Sequence, residues 1–279
     1  MTEMNQQPNF LYIGPAKGGS TWIFQALNDH PQIFIPPAKG LFFFDQNYHR
    51  GYDWYINHFK SATEDHTARG EISHFYLYSS EARDHIQAHL PNVRLFVCLR
   101  NPVERTLSAY QFMRRNERIH GSFEEALEAF PNILARSRYA PHLKSWLEVF
   151  PRDQLGIFFF DDLKRDPHAF ARSLYAFLGV DEEHAYTRAA ERVLPASRPR
   201  FPGVGKLLKS GAVLAKNLGA YNLVGRAKSA KMIKSLYKPL DSSEKFQPTS
   251  EKIQWLKDHF AEDIKEVAEL TGRDLETWL

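Results

Sequence analysis

The chain alternates between short apolar runs and longer stretches whose apolar residues recur every three or four positions. The first kind reads as strands and the second as helices. Residues 10–13, Phe-Leu-Tyr-Ile, are the first apolar run, and a helix is expected from about 19 to 28. The stretch IFIPPAKGLFFFD, 33–45, reads as a loop broken by Pro36 and Pro37 with a short aromatic strand. In RGYDWYINHFK, 50–60, Tyr52, Tyr55, Ile56 and Phe59 share one helical face. ARGEISHFYLY, 68–78, reads as a short strand running into a loop, and 81–90 as a helix closed by Pro91. VRLFVCL, 93–99, is the unbroken apolar run of a strand buried on both faces.

The second half continues the alternation. Pro102 suits the first turn of a helix, and Asn101 before it is a capping residue. Ser122-Phe123-Glu124-Glu125 has the capping-box spacing and opens a helix over 122–129. Residues 138–150 are helical, and QLGIFFF, 154–160, is a buried strand ended by an acidic turn at Asp161-Asp162-Leu163. A helix over 167–178 stops at Gly179, and a last one runs from about 250 to 270. Strands alternating with helices imply an α/β fold, a parallel sheet with helices on both faces, and place binding at the carboxyl ends of the strands.

Composition narrows this. A chain of 279 residues fits one α/β domain with insertions, 1–279. Within it, 1–8 is polar and expected to be disordered, 195–240 is an insert or subdomain, and 250–279 is a helix packing on the core. With 21 Phe, much of the packing area should be aromatic. Cys98 is the one cysteine, so there is no intrachain disulfide; inside an apolar run it reads as a small buried hydrophobe. A single thiol suits a reducing compartment. Neither a signal-peptide plan at the start nor an apolar run of membrane-span length is found, and a cytoplasmic location is expected.

The net charge of +3 is unevenly spread. From 195 to 240 there is no acidic residue, while Arg198, Arg200, Lys206, Lys209, Lys216, Arg226, Lys228, Lys231, Lys234 and Lys238 all fall there. A field of one sign attracts anions or a negative surface. Solvated helices with one packed apolar side are the default reading. An amphipathic face resting on an anionic membrane, or a wall for a polyanionic glycan, are the alternatives. Nucleic acid is not expected as a partner, because no base-stacking module or recognition motif accompanies the charge.

The chemistry gathers in two places. In LYIGPAKGGSTWI, 11–23, a strand enters a glycine turn and then a helix start. Such a turn aims several backbone N–H groups and the positive end of the helix at one point. Gly14, Gly18 and Gly19 allow close approach, Ser20 and Thr21 offer hydroxyls, and Lys17 a full charge. The result suits a phosphate-like anion. It is not the nucleotide-triphosphatase loop, whose lysine follows the second glycine. The second place is FVCLRNPVERTLSAY, 96–110: Arg100 ends a buried strand, and Ser108 lies about two turns into the next helix. One ligand with two separated anionic groups would use both.

Together these residues resemble the family of sulfotransferases that use 3′-phosphoadenosine 5′-phosphosulfate (PAPS). GPAKGGSTWI is similar to that family's 5′-phosphosulfate loop and LRNPVERTLSAY to its 3′-phosphate motif. KGLFFFDQNYHRGYDWYINHF, GEISHFYLYS, YAPHLKSWLEVFP, FFFDDLKRDPHAFARSLYAFLGV and the ending LTGRDLETWL resemble its heparan-sulfate-type and bacterial branch. The likeness covers roughly 10–177 and the last helix. It implies a P-loop-like three-layer fold and in-line transfer of a sulfuryl group from PAPS to a hydroxyl or amine. The acceptor is expected to be a glycan or another small or lipid-linked molecule, and no metal is needed.

The resemblance also implies roles. Lys17 would contact the phosphosulfate and stabilise the leaving phosphate. The N–H groups of Gly18, Gly19, Ser20 and Thr21, with the Ser20 and Thr21 hydroxyls, would hold the 5′-phosphate, with Trp22 beside them. Arg100 and Ser108 would bind the 3′-phosphate. Tyr139 would lie near the cofactor, and Arg198 or Arg200 in the loop 197–201 would close over the nucleotide. One departure stands out. Where the branch has Lys-Glu-x-x-Phe-Phe with a catalytic glutamate, this chain has Lys39-Gly40-Leu41-Phe42-Phe43-Phe44. His74 and Glu71 are the replacement candidates: His74 could take the acceptor proton, and Glu71 could orient the loop or be the base itself. Asp45, His49 and Lys39 are lesser ones. A small-molecule kinase and a non-catalytic anion- or membrane-binding relative are the competing readings.

Overall fold

A computed structural model describes residues 7–116, 118–119, 121–189, 197–199, 237–239 and 246–279. In chain order it contains β1 (Phe10–Gly14), α1 (Ser20–Asp29), β2 (Ile33–Phe34), α2 (Tyr52–Ile56), β3 (Ala68–Ile72), α3 (Ser80–His89) and β4 (Arg94–Leu99). There follow α4 (Pro102–Arg115), α5 (Phe123–Ala129), α6 (Asn132–Ala135), α7 (Ala140–Leu147), β5 (Leu155–Phe159), α8 (Phe160–Arg165) and α9 (Pro167–Leu178). A short antiparallel pair, β6 (Ser197–Pro199) and β7 (Tyr237–Pro239), precedes α10 (Ser250–Thr271).

β1 to β5 form one parallel sheet in the order β2-β3-β1-β4-β5. Successive strand residues point to opposite faces, and the sequence fills both. Leu11, Ile13, Leu95, Val97 and Leu99 join one core with residues of α3, α4, α7 and α10. Phe10, Tyr12, Phe96 and Cys98 join a second core with α1 and α9. That gives the expected three layers. Cys98 is fully buried, and burial pushes its thiol well above the usual range.

Local signals in the sequence operate as expected. The Asn101 side chain accepts from the N–H groups of Val103 (2.9 Å) and Glu104 (3.3 Å), with Pro102 in the first turn of α4. Ser122 and Glu125 close their capping box, and Gly179 ends α9 in the left-handed conformation. Two expectations are corrected. The aromatic stretch after Pro36 and Pro37 is no strand: Phe43–Asn47 is a π-helical turn. It buries Phe43 and Phe44 together against α2, with Phe43 stacked on Tyr55 at 4.6 Å, an arrangement that side chains alternating along a strand could not give. The acidic turn after β5 is the helix α8. Asp161 and Asp162 sit in its first turn, where the helix dipole favours acids. Asp162 pairs with Arg273 (2.6 Å), and Asp161 accepts from the Trp278 indole (2.8 Å).

α10 packs on the first core through Leu256, Phe260, Ile264 and Val267. Its Asp263, 9% exposed, accepts from the N–H groups of Tyr139 (2.8 Å) and Ala140 (3.0 Å), capping α7 from across the chain. The expected insert 195–240 lies outside the described residues apart from the paired backbone of β6 and β7, and 1–6 lie outside as well. No helix among the described residues is long and apolar enough to cross a membrane.

Asp263→Ala should leave two helix-start N–H groups without partners and cost about 1–3 kcal/mol. Urea unfolding would show it as a lowered midpoint with an unchanged slope. An unchanged midpoint would mean that α7 does not depend on this cap.

Candidate active site

The site lies where β1 and β4 run side by side and their following loops meet. Gly18 is pressed against the end of β4: a Cβ there would stand 2.0 Å from the Cys98 carbonyl oxygen. Gly19 has φ 88 and caps α1 without any side-chain hydrogen bond. The first-turn N–H groups of a helix have no partner within it, so those of α1 face the loop. Lys17 itself has φ 77, a conformation that costs a non-glycine residue about 1–3 kcal/mol.

Neighbouring side chains hold the loop in that shape. Tyr12 Oη donates to Pro15 O (2.7 Å), Arg105 Nε to Ala16 O (3.3 Å) and Arg100 Nη1 to Lys17 O (3.4 Å). Arg105 is 3% exposed and also donates to Ile133 O (2.8 Å) and Ser137 Oγ (3.1 Å). The sequence reading passed over it, because one arginine in an amphipathic helix carries no mark of burial.

Two lysines converge on the loop. Lys17 Nζ stands 4.7 Å from the centre of the Phe112 ring on α4. Lys39 Nζ, arriving from the connection between β2 and α2, donates to Ser20 Oγ (3.2 Å) and Thr21 Oγ1 (3.0 Å). Neither lysine forms an ion pair with a described residue. Burial, then Arg115, Arg100 and Arg105, lowers Lys17 to about 8. Burial, then Lys17, lowers Lys39 to about 7.

The second anchor adjoins the first. Arg100, past the end of β4, is held by Glu104 Oε2, with Nε at 3.0 Å and Nη2 at 2.9 Å, and lies 4.8 Å over the Phe160 ring. Lys164 also reaches Glu104, at 3.3 Å. Ser108, one turn beyond Glu104 on α4, is half-buried and makes no hydrogen bond with a described residue.

On the other side of β1, the segment after β3 brings in His74. Its carbonyl oxygen lies 3.1 Å from where a Cβ on Gly14 would be. Its ring packs against Phe42 (5.1 Å) and Phe75 (4.5 Å), and its Nδ1 is buried without a partner. Burial, followed by the positive charges of Lys39, Arg136, Lys17 and Arg105, lowers this imidazole to about 3. It is therefore neutral and has a ring nitrogen to spare.

Three assignments change. Glu71 is 1% exposed, and its carboxylate accepts from Leu41 N (3.2 Å), Ser73 Oγ (2.7 Å) and Tyr76 Oη (2.7 Å). Burial raises it to about 7, yet it is enclosed as a scaffold under the 41–44 segment and is not placed to take an acceptor proton. Trp22 points into the second core, edge-on to Phe170 and Tyr186, with its indole donating to Ala189 O (2.9 Å); it does not line the loop. Tyr139 is fully buried and donates to Arg100 O (2.8 Å), so it positions the second anchor without facing a ligand. Among the lesser candidates, His49 is exposed, and Asp45 accepts from the Gln46 N–H (2.7 Å). The side chains of Arg198 and Arg200 lie outside the described residues.

A strand–loop–helix cradle bearing Lys17, with an arginine anchor on the adjacent strand, is what the resemblance implies, and comparison with known proteins supports the family. The model of the sulfotransferase domain matches residues 7–194. The chain belongs to the sulfotransferase family. It is 33% identical over 205 residues to human bifunctional heparan sulfate N-deacetylase/N-sulfotransferase 3, covering 65% of this chain and 23% of that protein. With bifunctional heparan sulfate N-deacetylase/N-sulfotransferase 4 of Mus musculus the identity is 28% over 295 residues, 98% of this chain and 31% of the other. With the membrane-associated sulfotransferase kil1 of Dictyostelium discoideum it is 33% over 155 residues, 51% of this chain and 33% of that one. The chain thus spans at most about a third of these relatives. The crystal structure of a sulfotransferase from Alicyclobacillus acidocaldarius matches with a TM-score of 0.71 at 25% identity, over 98% of both chains. Membership favours sulfuryl transfer over the kinase reading.

The lowered lysines give a pH signature. Between about 7 and their ordinary 10.5 they bind fewer protons folded than unfolded, so their contribution to the stability of the ligand-free protein rises with pH. An anion in the loop needs them charged. The thermal shift produced by a fixed concentration of sulfate should therefore shrink as pH rises from about 6 to about 9. A shift that stays constant over that range would contradict the arrangement.

Proposed function

We propose that this sulfotransferase uses PAPS as donor and a hydroxyl of a glycan, or of another small or lipid-linked molecule, as acceptor. The observation that carries the reading is the meeting of two anion anchors at adjacent strand ends, joined by the Arg100 contact to Lys17 O. PAPS has a phosphosulfate at one end and a 3′-phosphate at the other, and the two anchors match that division of charge. The heparan sulfate named in the relatives supports a glycan acceptor.

In this reading PAPS supplies the sulfuryl group. The α1 N-terminus and the Ser20 and Thr21 hydroxyls grip the 5′-phosphate. Lys17 meets the charge that develops there, the kind of preorganised stabilisation that supplies much of catalysis. Arg100 and Ser108 take the 3′-phosphate. His74 is neutral and has a free Nδ1, so it accepts the acceptor proton where Gly40 leaves no carboxylate. The three cations other than Arg105 that hold its basicity down include both cradle lysines, and a bound anion offsets them, making the imidazole a better base when donor is present. A cytoplasmic setting, and contact of 195–240 with an anionic membrane, remain part of the proposal on the strength of the lone thiol and the run of basic residues.

The direct test is thermal stability with PAP, the desulfated product. At one hundred times its dissociation constant PAP should add about 2.7 kcal/mol, and Lys17→Ala and Arg100→Ala should each reduce the effect. No shift with PAP but a clear one with magnesium and ATP would overturn the reading. His74→Asn should keep PAP affinity and lower kcat by about 10²–10⁴. An unchanged kcat would remove His74 as the base.

A further inference from the structure

The side chain of Lys39 crosses from the connection between β2 and α2 to the two hydroxyls at the start of α1. An ammonium has three donors. Two are spent on Ser20 and Thr21, and one remains. A pin for the loop would need only a neutral donor. Instead the position holds a half-buried amine that can carry a full charge, set beside Lys17, without a carboxylate among the described residues to offset either. Such a charge is unfavourable until an anion joins it.

The neighbouring position explains why the charge falls to Lys39. Gly40 has φ 79, and a Cβ there would stand 2.6 Å from the Phe42 ring. A glutamate at 40 would be strained by the backbone conformation and would crowd the Phe42 ring. Lys39 is then the reactive group that this segment presents to the loop. Resting on the reading that PAPS is the donor, we propose that Lys39 is a catalytic residue, binding the 5′-phosphate jointly with Lys17 and sharing the charge that gathers on it. In the transfer the acceptor oxygen bonds to sulfur and the bond from sulfur to the phosphate oxygen breaks. The electron pair stays on that phosphate oxygen, and the acceptor proton passes to His74. Lys39 keeps its proton throughout and acts by charge alone.

Calorimetric titration with two probes tests this. PAP carries the 5′-phosphate, and adenosine 3′-monophosphate lacks it. At about pH 6, where Lys39 is charged, Lys39→Met should weaken PAP by about tenfold or more. The affinity for adenosine 3′-monophosphate should change by less than about twofold, and Lys39→Arg should recover most of the PAP affinity. Lys39→Gln keeps a donor to the two hydroxyls while removing the charge, and serves if the Met variant is unstable; it should behave like Lys39→Met. An unchanged PAP affinity in both neutral variants, or an equal loss for both probes, would overturn the role of Lys39 while leaving the donor reading intact. A wild type that binds neither probe would overturn the donor reading, and this assignment with it.

Discussion

The architecture of the site depends on one buried guanidinium. Arg105 enters from α4, is almost wholly covered, and donates to Ala16 O in the loop after β1, to Ile133 O and to Ser137 Oγ. It thereby ties α4, the loop and the region before α7 into one rigid corner. Ser137 passes the constraint on through its hydroxyl contact with Thr106 (2.7 Å). A charged group held mainly by carbonyl oxygens gains good hydrogen bonds, but its charge is not cancelled. The corner is therefore both well fixed and positively biased.

That bias organises what surrounds it. Lys17 is drawn below its ordinary range by burial and by Arg115, Arg100 and Arg105, Lys39 by burial and by Lys17, and His74 is kept neutral by burial and by Lys39, Arg136, Lys17 and Arg105. Glu104 meanwhile holds the second anchor, Arg100, in place. With Lys17 and Lys39 gathered at a strand end and no carboxylate among the described residues paired with either, the fold is less stable there than it would be with an anion bound. The cost is local, and binding recovers it. In the proposed reading, donor affinity, protonation and the basicity of His74 are linked through a single electrostatic field.

Much of this was legible in the sequence. Periodicity and caps located the strands β1, β3, β4 and β5 and most of the helices, because Asn101, Ser122, Gly179 and the unbroken runs around Phe96 and Phe158 act through local geometry; the two-residue edge strand β2 and the short helices α6 and α8 carry no such signal. The two misread segments show the limit. Phe42-Phe43-Phe44 looks like a strand by composition, but Phe43 and Phe44 find a shared partner in Tyr55 on α2 while Phe42 turns to His74 and Phe75, which no local rule encodes. Lys17, Ser20, Thr21 and Arg100 were recognisable because each sits within a compact motif. Lys39 reaches the site from a separate segment, and its place beside Ser20 depends on a loop shaped by left-handed Gly40 and Phe42. Trp22 was misassigned for the converse reason. It lies next to Thr21 in sequence, yet turns its side chain into the second core. Of the two roles open to Glu71, the structure shows the orienting one, and Tyr139 reaches the second anchor only through Arg100 O.

The central claim is that the loop between β1 and α1 holds the 5′ end of the donor while the start of α4 holds its 3′-phosphate. A crystal structure of the complex with PAP tests it most directly. The account predicts the 5′-phosphate within hydrogen-bonding distance of Ser20, Thr21 and Lys17, and the 3′-phosphate on Arg100 and Ser108. A nucleotide bound elsewhere, or bound with its two phosphates exchanged between the anchors, would contradict it.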